Sequence, residues 1–157
     1  MILHNGVTGF YKAGDEKPPT IDEKLFIQNC FSLINGKYGE IAGYKSQQDT
    51  ANFFAVEVKT PDKHTHLLLN AHYPFLAFAD EAGYGKISFV DEPALGRLFS
   101  PFYHVLDTKK LNEHVILKPG SSKNILLNAN DLSEAELKQI AFWQPETIGE
   151  IIYNYWD

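Results

Sequence analysis

Hydrophobic residues recur at the 3.6-residue spacing of an amphipathic helix in two segments of the chain. The first segment starts at Thr20, which has the spacing of a capping box with Glu23. The second starts at Ser133, which has the same spacing to Glu136, and it should end before Pro145 because the residue ahead of a proline avoids helical angles. We expect both helices to pack an apolar face on a core. In the first helix that face comprises Phe26, Ile27, Cys30, Phe31, Leu33 and Ile34.

Alternation of apolar and polar residues predicts a β-hairpin in the middle of the chain. Its strands cover residues 53–59 and 64–71, and Pro61-Asp62 supplies residues that a tight turn favours. If the turn centres there, Lys59 faces His64 and Glu57 faces His66. This register places the apolar side chains Phe54, Val56, Val58, Leu67 and Leu69 on one face. The opposite face is predicted to be polar and to carry Glu57, Lys59, His64 and His66.

Shorter patterns predict the remaining elements of a single α+β domain over residues 1–157. Further strands are expected at 39–48, 73–79, 87–90, 103–106 and 124–127. Further helices are expected at 94–99 and 108–117. We therefore predict a mostly antiparallel sheet with helices packed against it.

Residues 142–157 hold both tryptophans of the protein, Trp143 and Trp156. Large aromatic and branched side chains remove much apolar area from water when they are buried, so we expect this segment to belong to the core. Its isoleucines and Tyr155 have helical spacing, whereas the density of β-branched and aromatic residues favours a buried strand. We predict a strand for the stretch that follows Pro145.

The net charge of −6 narrows the range of partners. Nucleic acid and anionic membrane both need a positive surface for nonspecific binding, so the acidic balance favours a basic protein as the partner. The single cysteine excludes an internal disulfide framework and suits a reducing compartment. The first residues lack the cationic flank and the long apolar run of a signal peptide, and we expect a soluble cytoplasmic protein.

Six histidines raise a metal hypothesis. In its best form, His64 and His66 share one strand face and Glu57 lies opposite His66. Imidazole and carboxylate groups are ligands that zinc and iron accept. The alternative is a solvated sheet face on which a glutamate and a histidine form an ordinary cross-strand pair. A small metal-dependent enzyme or metal sensor is therefore the second functional hypothesis.

Motifs of catalysis are not found in the sequence. Residues 83–86, Gly-Tyr-Gly-Lys, lack the spacing and the following serine or threonine of a phosphate-binding loop, and they are typical of a turn between strands. A nucleophile elbow of the Gly-x-Ser-x-Gly type does not occur. We therefore favour a non-catalytic protein that needs no cofactor. A third hypothesis is a small-molecule-binding domain with an aromatic sheet face, for which the sequence indicates no ligand.

Two groups of residues are candidates for a partner surface. The first comprises four acids around the predicted 78–87 hairpin: Asp80, Glu81, Asp91 and Glu92. Such acids either steer a basic partner or are solvated loop ends. The second group is the terminal aromatics Tyr153, Tyr155 and Trp156, because tyrosine and tryptophan side chains in this segment are either core residues or anchors of an interface.

The chain also resembles a known class of proteins. Residues 73–80, Tyr-Pro-Phe-Leu-Ala-Phe-Ala-Asp, followed by a glycine-containing turn and by Ile-Ser-Phe-Val-Asp at 87–91, look like a passage of the small bacterial immunity proteins that accompany polymorphic toxins, a class that includes the SUKH superfamily. Residues 143–157 are similar to small bacterial proteins but depart from the usual SUKH pattern. The resemblance implies a compact α+β protein that binds and blocks a cognate toxin without catalysis. It assigns no functional residue.

Overall fold

A computed structural model describes residues 1–45, 51–83, 85–120 and 124–156 of the chain. These ranges contain the helices α1 (Glu23–Leu33), α2 (Pro93–Phe99), α3 (Thr108–Leu111), α4 (Glu134–Trp143) and α5 (Ile148–Ile152). They also contain the strands β1 (Glu40–Lys45), β2 (Phe53–Lys59), β3 (His64–Asn70), β4 (Phe75–Gly83), β5 (Lys86–Val90), β6 (His104–Val105), β7 (Leu117–Pro119) and β8 (Asn124–Leu126). Within the described ranges, no helix has both the length and the apolar character that a membrane crossing requires.

Six strands form the main sheet, in the order β1-β2-β3-β4-β5 with β6 beside β4. Neighbours along the five-strand path are antiparallel, whereas β6 pairs with β4 in parallel. Strands β7 and β8 form a separate antiparallel ribbon. The predicted α+β class with a mostly antiparallel sheet is confirmed. Of the first predicted strand, residues 46–48 lie outside the described ranges.

The β2–β3 hairpin has the predicted register. Glu57 pairs with His66, and the N–H of Thr60 donates a hydrogen bond to the carbonyl of Lys63 across the turn, at 2.9 Å. A slip of one residue would exchange the faces of every side chain in a strand. The alternation of apolar and polar residues, together with the turn at Pro61-Asp62, therefore predicted this pairing correctly.

The predicted apolar face of the sheet packs against α1 and α2. The sheet contributes Phe54, Val56, Val58, Leu67, Leu69, Leu76 and Phe78 to this core. The residues that cover it include Phe26 and Cys30 of α1 and Leu95 and Phe99 of α2. At about 25 cal/mol for each Å² of apolar surface removed from water, this layer is a main source of stability.

The start of α1 differs from the prediction. The capping box of Thr20 and Glu23 is wrong, because Asp22 is the N-cap and its carboxylate accepts a hydrogen bond from the third N–H of the helix at 3.1 Å. The N–H of Ile21 donates to the carbonyl of Ala71 at 2.9 Å. This contact with the sheet holds the residues before Asp22 outside the helix, and aspartate caps a helix at least as well as threonine.

The opposite face of the sheet is covered as well, which corrects the expectation of one polar face. Sheet residues in this second core include Phe53, Leu68, Phe75, Ala77 and Ala79. They pack against α3, α4 and α5 through Leu111, Ile140, Ile148, Ile151 and Ile152. Glu57, Lys59, His64 and His66 remain at least partly exposed near the β2–β3 turn. The polar pattern of this face therefore marks only the end that the helices do not reach.

The segment after Pro145 begins with a helix, and the predicted strand is wrong. Helix α5 starts with a capping box of Thr147 and Glu150. A Cβ atom on Gly149 would lie 2.5 Å from the Phe89 ring, so the missing side chain allows α5 to lie directly on β5. The density of branched and aromatic residues reflects this close burial, which a short helix and a buried strand share.

The helix predicted at 108–117 is shorter than expected. It ends at Leu111, and the chain then runs alongside the segment that links α4 and α5. The N–H of Val115 donates to the carbonyl of Glu146 at 2.9 Å, and the N–H of Ile148 donates to the carbonyl of Glu113 at 2.9 Å. These backbone bonds join residues far apart in the chain, so local spacing could not reveal where α3 ends.

A buried carboxylate attaches the N-terminal segment to α4. Glu136 is 0 % exposed and accepts hydrogen bonds from the N–H of Gly6 at 2.8 Å and from the N–H and hydroxyl of Thr8 at 3.1 and 2.6 Å. It also completes the predicted capping box with Ser133, which is confirmed. The same side chain thus caps a helix and satisfies buried donors of a distant loop.

Two buried asparagines join both ends of the chain to the sheet. The side-chain amides of Asn52 and Asn70 each donate to the carbonyls of Val7 and Ile152, at distances of 2.7 to 3.0 Å. The side-chain oxygen of Asn52 accepts from the N–H of Asn154 at 2.8 Å. This network positions the residues that follow α5 and thereby one wall of the candidate site.

Candidate functional site

A groove of about 600 Å³ lies where the β4–β5 hairpin, the end of α4 and the residues after α5 meet. We call it the aromatic groove. Its aromatic lining consists of Trp143, Tyr153, Tyr155 and Trp156, and its charged lining of Lys86, Glu146 and Glu150. Its volume is within the range of about 300–1,000 Å³ that is usual for ligand sites.

The end of α4 shapes one wall of the aromatic groove. Gln144 adopts the left-handed conformation with φ of 50°, and its N–H donates to the carbonyl of Ile140 at 2.9 Å. The buried Pro145 follows and prevents further helix. Because the chain reverses here, Trp143 and Glu146 line the same groove.

The two tryptophans stack on each other at the groove. Their ring planes differ by 3° and their centroids are 6.5 Å apart, a separation within the range of stacked pairs. Trp143 is 39 % exposed, and its Nε1–H donates to Oε1 of Gln139 at 3.0 Å. Trp156 is half-buried, and the centroid of its ring lies 6.4 Å from the centroid of the Phe10 ring. The groove therefore presents an aromatic surface whose orientation is held by neighbouring side chains.

The two tyrosines predicted as partner residues both line the groove but differ in burial. Tyr153 is 1 % exposed, and its hydroxyl donates to the carbonyl of Phe75 at 2.8 Å. Burial raises the pKa of this phenol well above its usual range. Tyr155 is half-buried and packs edge-to-face with the ring of Phe53, with the ring centroids 5.2 Å apart. Tyr153 thus supports the floor from within the core, whereas Tyr155 remains partly accessible.

The charged lining of the groove is predominantly negative. Glu146 and Glu150 are exposed, and neither forms an ion pair with another described residue. Lys86 places its Nζ atom 3.4 Å from Oε2 of Glu81. Since Glu81 offsets the charge of Lys86, the groove carries an excess of negative charge.

Three of the four predicted partner acids have intramolecular partners, and the first is Glu81, which pairs with Lys86. Asp91 accepts hydrogen bonds from the N–H and the hydroxyl of Thr108 at 3.0 and 2.7 Å. Glu92 pairs with Lys63 at 2.6 Å, and only 10 % of its side chain is exposed. Asp80 is exposed at the irregular point of β4. Asp91 and Glu92 therefore attach α3 and the β2–β3 turn to the hairpin, and partner binding by the acids stays a prediction.

The residues of the metal hypothesis come together only in part. Nδ1 of His64 lies 2.7 Å from Oε1 of Glu57, while His66 faces Glu57 on one side and Ala79 on the other. Among the described residues, no group of three histidine, cysteine, aspartate or glutamate side chains could hold a metal ion. A bonded Glu–His pair is ordinary for neighbouring strands, and the metal site stays a prediction.

A second cavity of about 610 Å³ lies between the N-terminal loop and the start of α4. Its lining is mostly polar and includes Asn5, Asp15 and Tyr73. Lys12 and Glu134, which also line it, form an ion pair at 3.2 Å. The aromatic groove offers more stacking surface, so it is the stronger candidate site.

Sequence reasoning identified Tyr153, Tyr155 and Trp156 but missed Trp143, Glu146 and Glu150. The available signal was the presence of both tryptophans within 142–157. That signal favoured burial over a partner surface, and it did not place Trp143 beside Trp156, because helix α5 lies between the two indoles in the chain. Only the reversal after α4 brings these side chains together.

Comparisons with known proteins assign the chain to no family. Protein-family models, curated proteins and solved structures all yield no match. The geometry of the aromatic groove, the charge of the chain and the resemblance at residues 73–80 and 87–91 are therefore the basis for a functional proposal.

Proposed function

We propose that this protein is a non-catalytic binding module that holds a basic protein partner at the aromatic groove. The supporting observation is the combination of Trp143, Tyr155 and Trp156 with the carboxylates Glu146 and Glu150 in one partly open groove. Tryptophan and tyrosine are preferred anchors of protein interfaces, because they bury a large area with few rotatable bonds. The net charge of −6 favours and accelerates association with a basic chain.

We further propose that the partner is a toxin that this protein neutralises, as the resemblance to bacterial immunity proteins implies. Such a protein needs a tight, specific contact and no chemistry of its own. A groove with pre-oriented aromatic side chains suits that need, because little conformational entropy is lost on binding. The exposed Asp80 would then contribute to long-range steering and not to the central contact.

Affinity capture with matched variants tests the binding role. The tagged wild-type protein, Trp143→Ala and the control Phe102→Ala would be used as baits in lysate from the source cells. Phe102 is 53 % exposed and follows α2, which packs on the sheet face opposite α5. A captured chain would be identified by mass spectrometry, purified and titrated by calorimetry. We expect one basic partner at a 1:1 ratio, with Kd about 30-fold weaker for Trp143→Ala, as for an interface hot spot of about 2 kcal/mol.

Equal affinity of the wild type, Trp143→Ala and Phe102→Ala would contradict the groove as the binding site. Failure to capture a stoichiometric partner, from cells grown under conditions of toxin production, would contradict the binding role itself. The immunity proposal has a separate test. Expression of the purified partner's gene alone should arrest growth, and co-expression of this protein should restore it; unimpaired growth without this protein would reject the neutralising role.

A further inference from the structure

We infer that the aromatic groove receives a single arginine side chain of the basic partner, with the guanidinium plane stacked on the indole of Trp143 and its N–H groups directed toward the carboxylates of Glu146 and Glu150. This inference rests on the proposed function, since it names the chemical group that the groove recognises. It commits the site to one occupant, a cation that is both planar and able to donate several hydrogen bonds.

The aromatic geometry favours a planar cation. Trp143 and Trp156 have ring planes only 3° apart, so a planar group that lies flat against one indole is also parallel to the other. The hydrogen bond from Nε1 of Trp143 to Gln139 uses the polar edge of that indole, and Trp156 stacks on the ring, but the 39 % exposure of Trp143 leaves ring surface for a ligand. Tryptophan is the best aromatic partner for a cation, and arginine is the side chain that most often stacks on it.

The charge distribution favours the same group. Glu146 and Glu150 supply two exposed carboxylates in the lining, whereas the lysine of the groove is offset by Glu81 at 3.4 Å. Oε2 of Glu150 already accepts hydrogen bonds from the N–H groups of Glu146 and Thr147, so the side-chain carboxylate of Glu146 has the greater freedom to turn toward a ligand. A guanidinium offers five N–H groups in a fixed fork that matches carboxylate oxygens. An ammonium lacks the flat surface for stacking, and an anion would be repelled.

The tryptophans also supply the readout. Trp143 and Trp156 are the two tryptophans of the protein, and both line the groove. Their indole N–H resonances in a proton–nitrogen NMR spectrum therefore report on this site alone, and Trp143→Phe assigns which signal belongs to which residue. Weak binding of short peptides is measurable by this method.

The test is a titration of the full-length protein with three capped tripeptides, Gly-Arg-Gly, Gly-Lys-Gly and Gly-citrulline-Gly. Citrulline has the shape of arginine but no charge. We expect saturable shifts of both indole signals with the arginine peptide, and binding at least about tenfold weaker with the lysine and citrulline peptides. Glu146→Gln should weaken arginine binding several-fold, whereas Phe102→Ala should leave it unchanged. Phe102 is 53 % exposed, does not line the groove and follows α2, which packs on the sheet face opposite α5, so it is a control for a general effect of removing an exposed aromatic ring.

Equal binding of the arginine and citrulline peptides, the same arginine affinity in Glu146→Gln, or no shift of either indole signal would overturn the inference. Glu146→Gln changes an exposed side chain outside the capping box of α5, so the variant should fold. The two proposals fail separately. A partner whose capture depends on Trp143, together with unshifted indole signals, would reject only the arginine subsite; selective arginine binding without any captured partner would reject only the protein-binding role.

Discussion

Replacement of Glu136 tests how the N-terminal segment is held to α4. Glu136→Ala removes the acceptor for the N–H groups of Gly6 and Thr8 and for the hydroxyl of Thr8. All three residues are buried, so water cannot readily replace the carboxylate. The substitution also removes half of the capping box with Ser133.

The expected loss of stability follows from the donors that lose their partner. Each buried donor left without an acceptor costs about 1–3 kcal/mol, so the two backbone N–H groups together account for about 2–6 kcal/mol. Glu136→Gln should have a smaller effect. Its amide oxygen can still accept from Gly6, and its amide nitrogen can donate to the hydroxyl of Thr8, which leaves only the N–H of Thr8 unpaired.

Urea unfolding followed by circular dichroism measures these differences. The matched control is Glu134→Gln, since Glu134 lies in the same first turn of α4 but forms exposed ion pairs with Lys12 and Lys138. Exposed pairs contribute about 0–1 kcal/mol, so the control should remain close to the wild type. If Glu136→Ala were no less stable than Glu134→Gln, the buried carboxylate would not anchor the N-terminal segment.

Three further predictions concern buried positions. Gly149→Ala should lower the unfolding free energy by about 1–3 kcal/mol, because the added methyl would lie 2.5 Å from the Phe89 ring; an unchanged urea midpoint would contradict this close contact. Tyr153→Phe leaves the buried carbonyl of Phe75 without its hydrogen-bond donor and should lower the free energy of unfolding by about 1–2 kcal/mol. Urea unfolding measures this loss, and an unchanged free energy of unfolding would contradict the role of the hydroxyl. Burial raises the pKa of the Cys30 thiol from 9.0 to about 12. We therefore expect Cys30 to react with a disulfide reagent only after the protein unfolds. Rapid labelling of the native protein would contradict the burial of this thiol. The thiol of Cys30 ionises at a lower pH in the unfolded protein than in the folded protein, so the free energy of unfolding should fall as the pH rises from 9 to 12. Cys30→Ala should reduce that fall.

Part of the fold could be predicted because its signals are local. The register of the β2–β3 hairpin follows from the alternation of side chains and a turn at Pro61-Asp62. The start of α4 follows from the three-residue spacing of Ser133 and Glu136, and its end from Pro145. In each case the residues that decide the structure are within a few positions of each other.

The candidate site was predictable only in part. The many aromatic and isoleucine residues within 142–157 predicted that this segment packs in the core, and Tyr153 is buried there. The carboxylates of Glu146 and Glu150 carried no comparable signal, because exposed glutamates are common. Their significance depends on the aromatic rings beside them in space.

The sequence by itself determined the α+β class, the β2–β3 register, the capping box of α4 and the acidic charge, because each depends on composition or on neighbouring residues. Only the tertiary structure decided that the segment after Pro145 begins with a helix, that helices cover most of the second sheet face, and that Trp143 and Trp156 line one groove. Those features depend on contacts such as Gly149 with Phe89 and Asn52 with Val7. Such contacts join residues that are distant in the chain, and their free energy outweighs the local preference of a short segment for strand or helix.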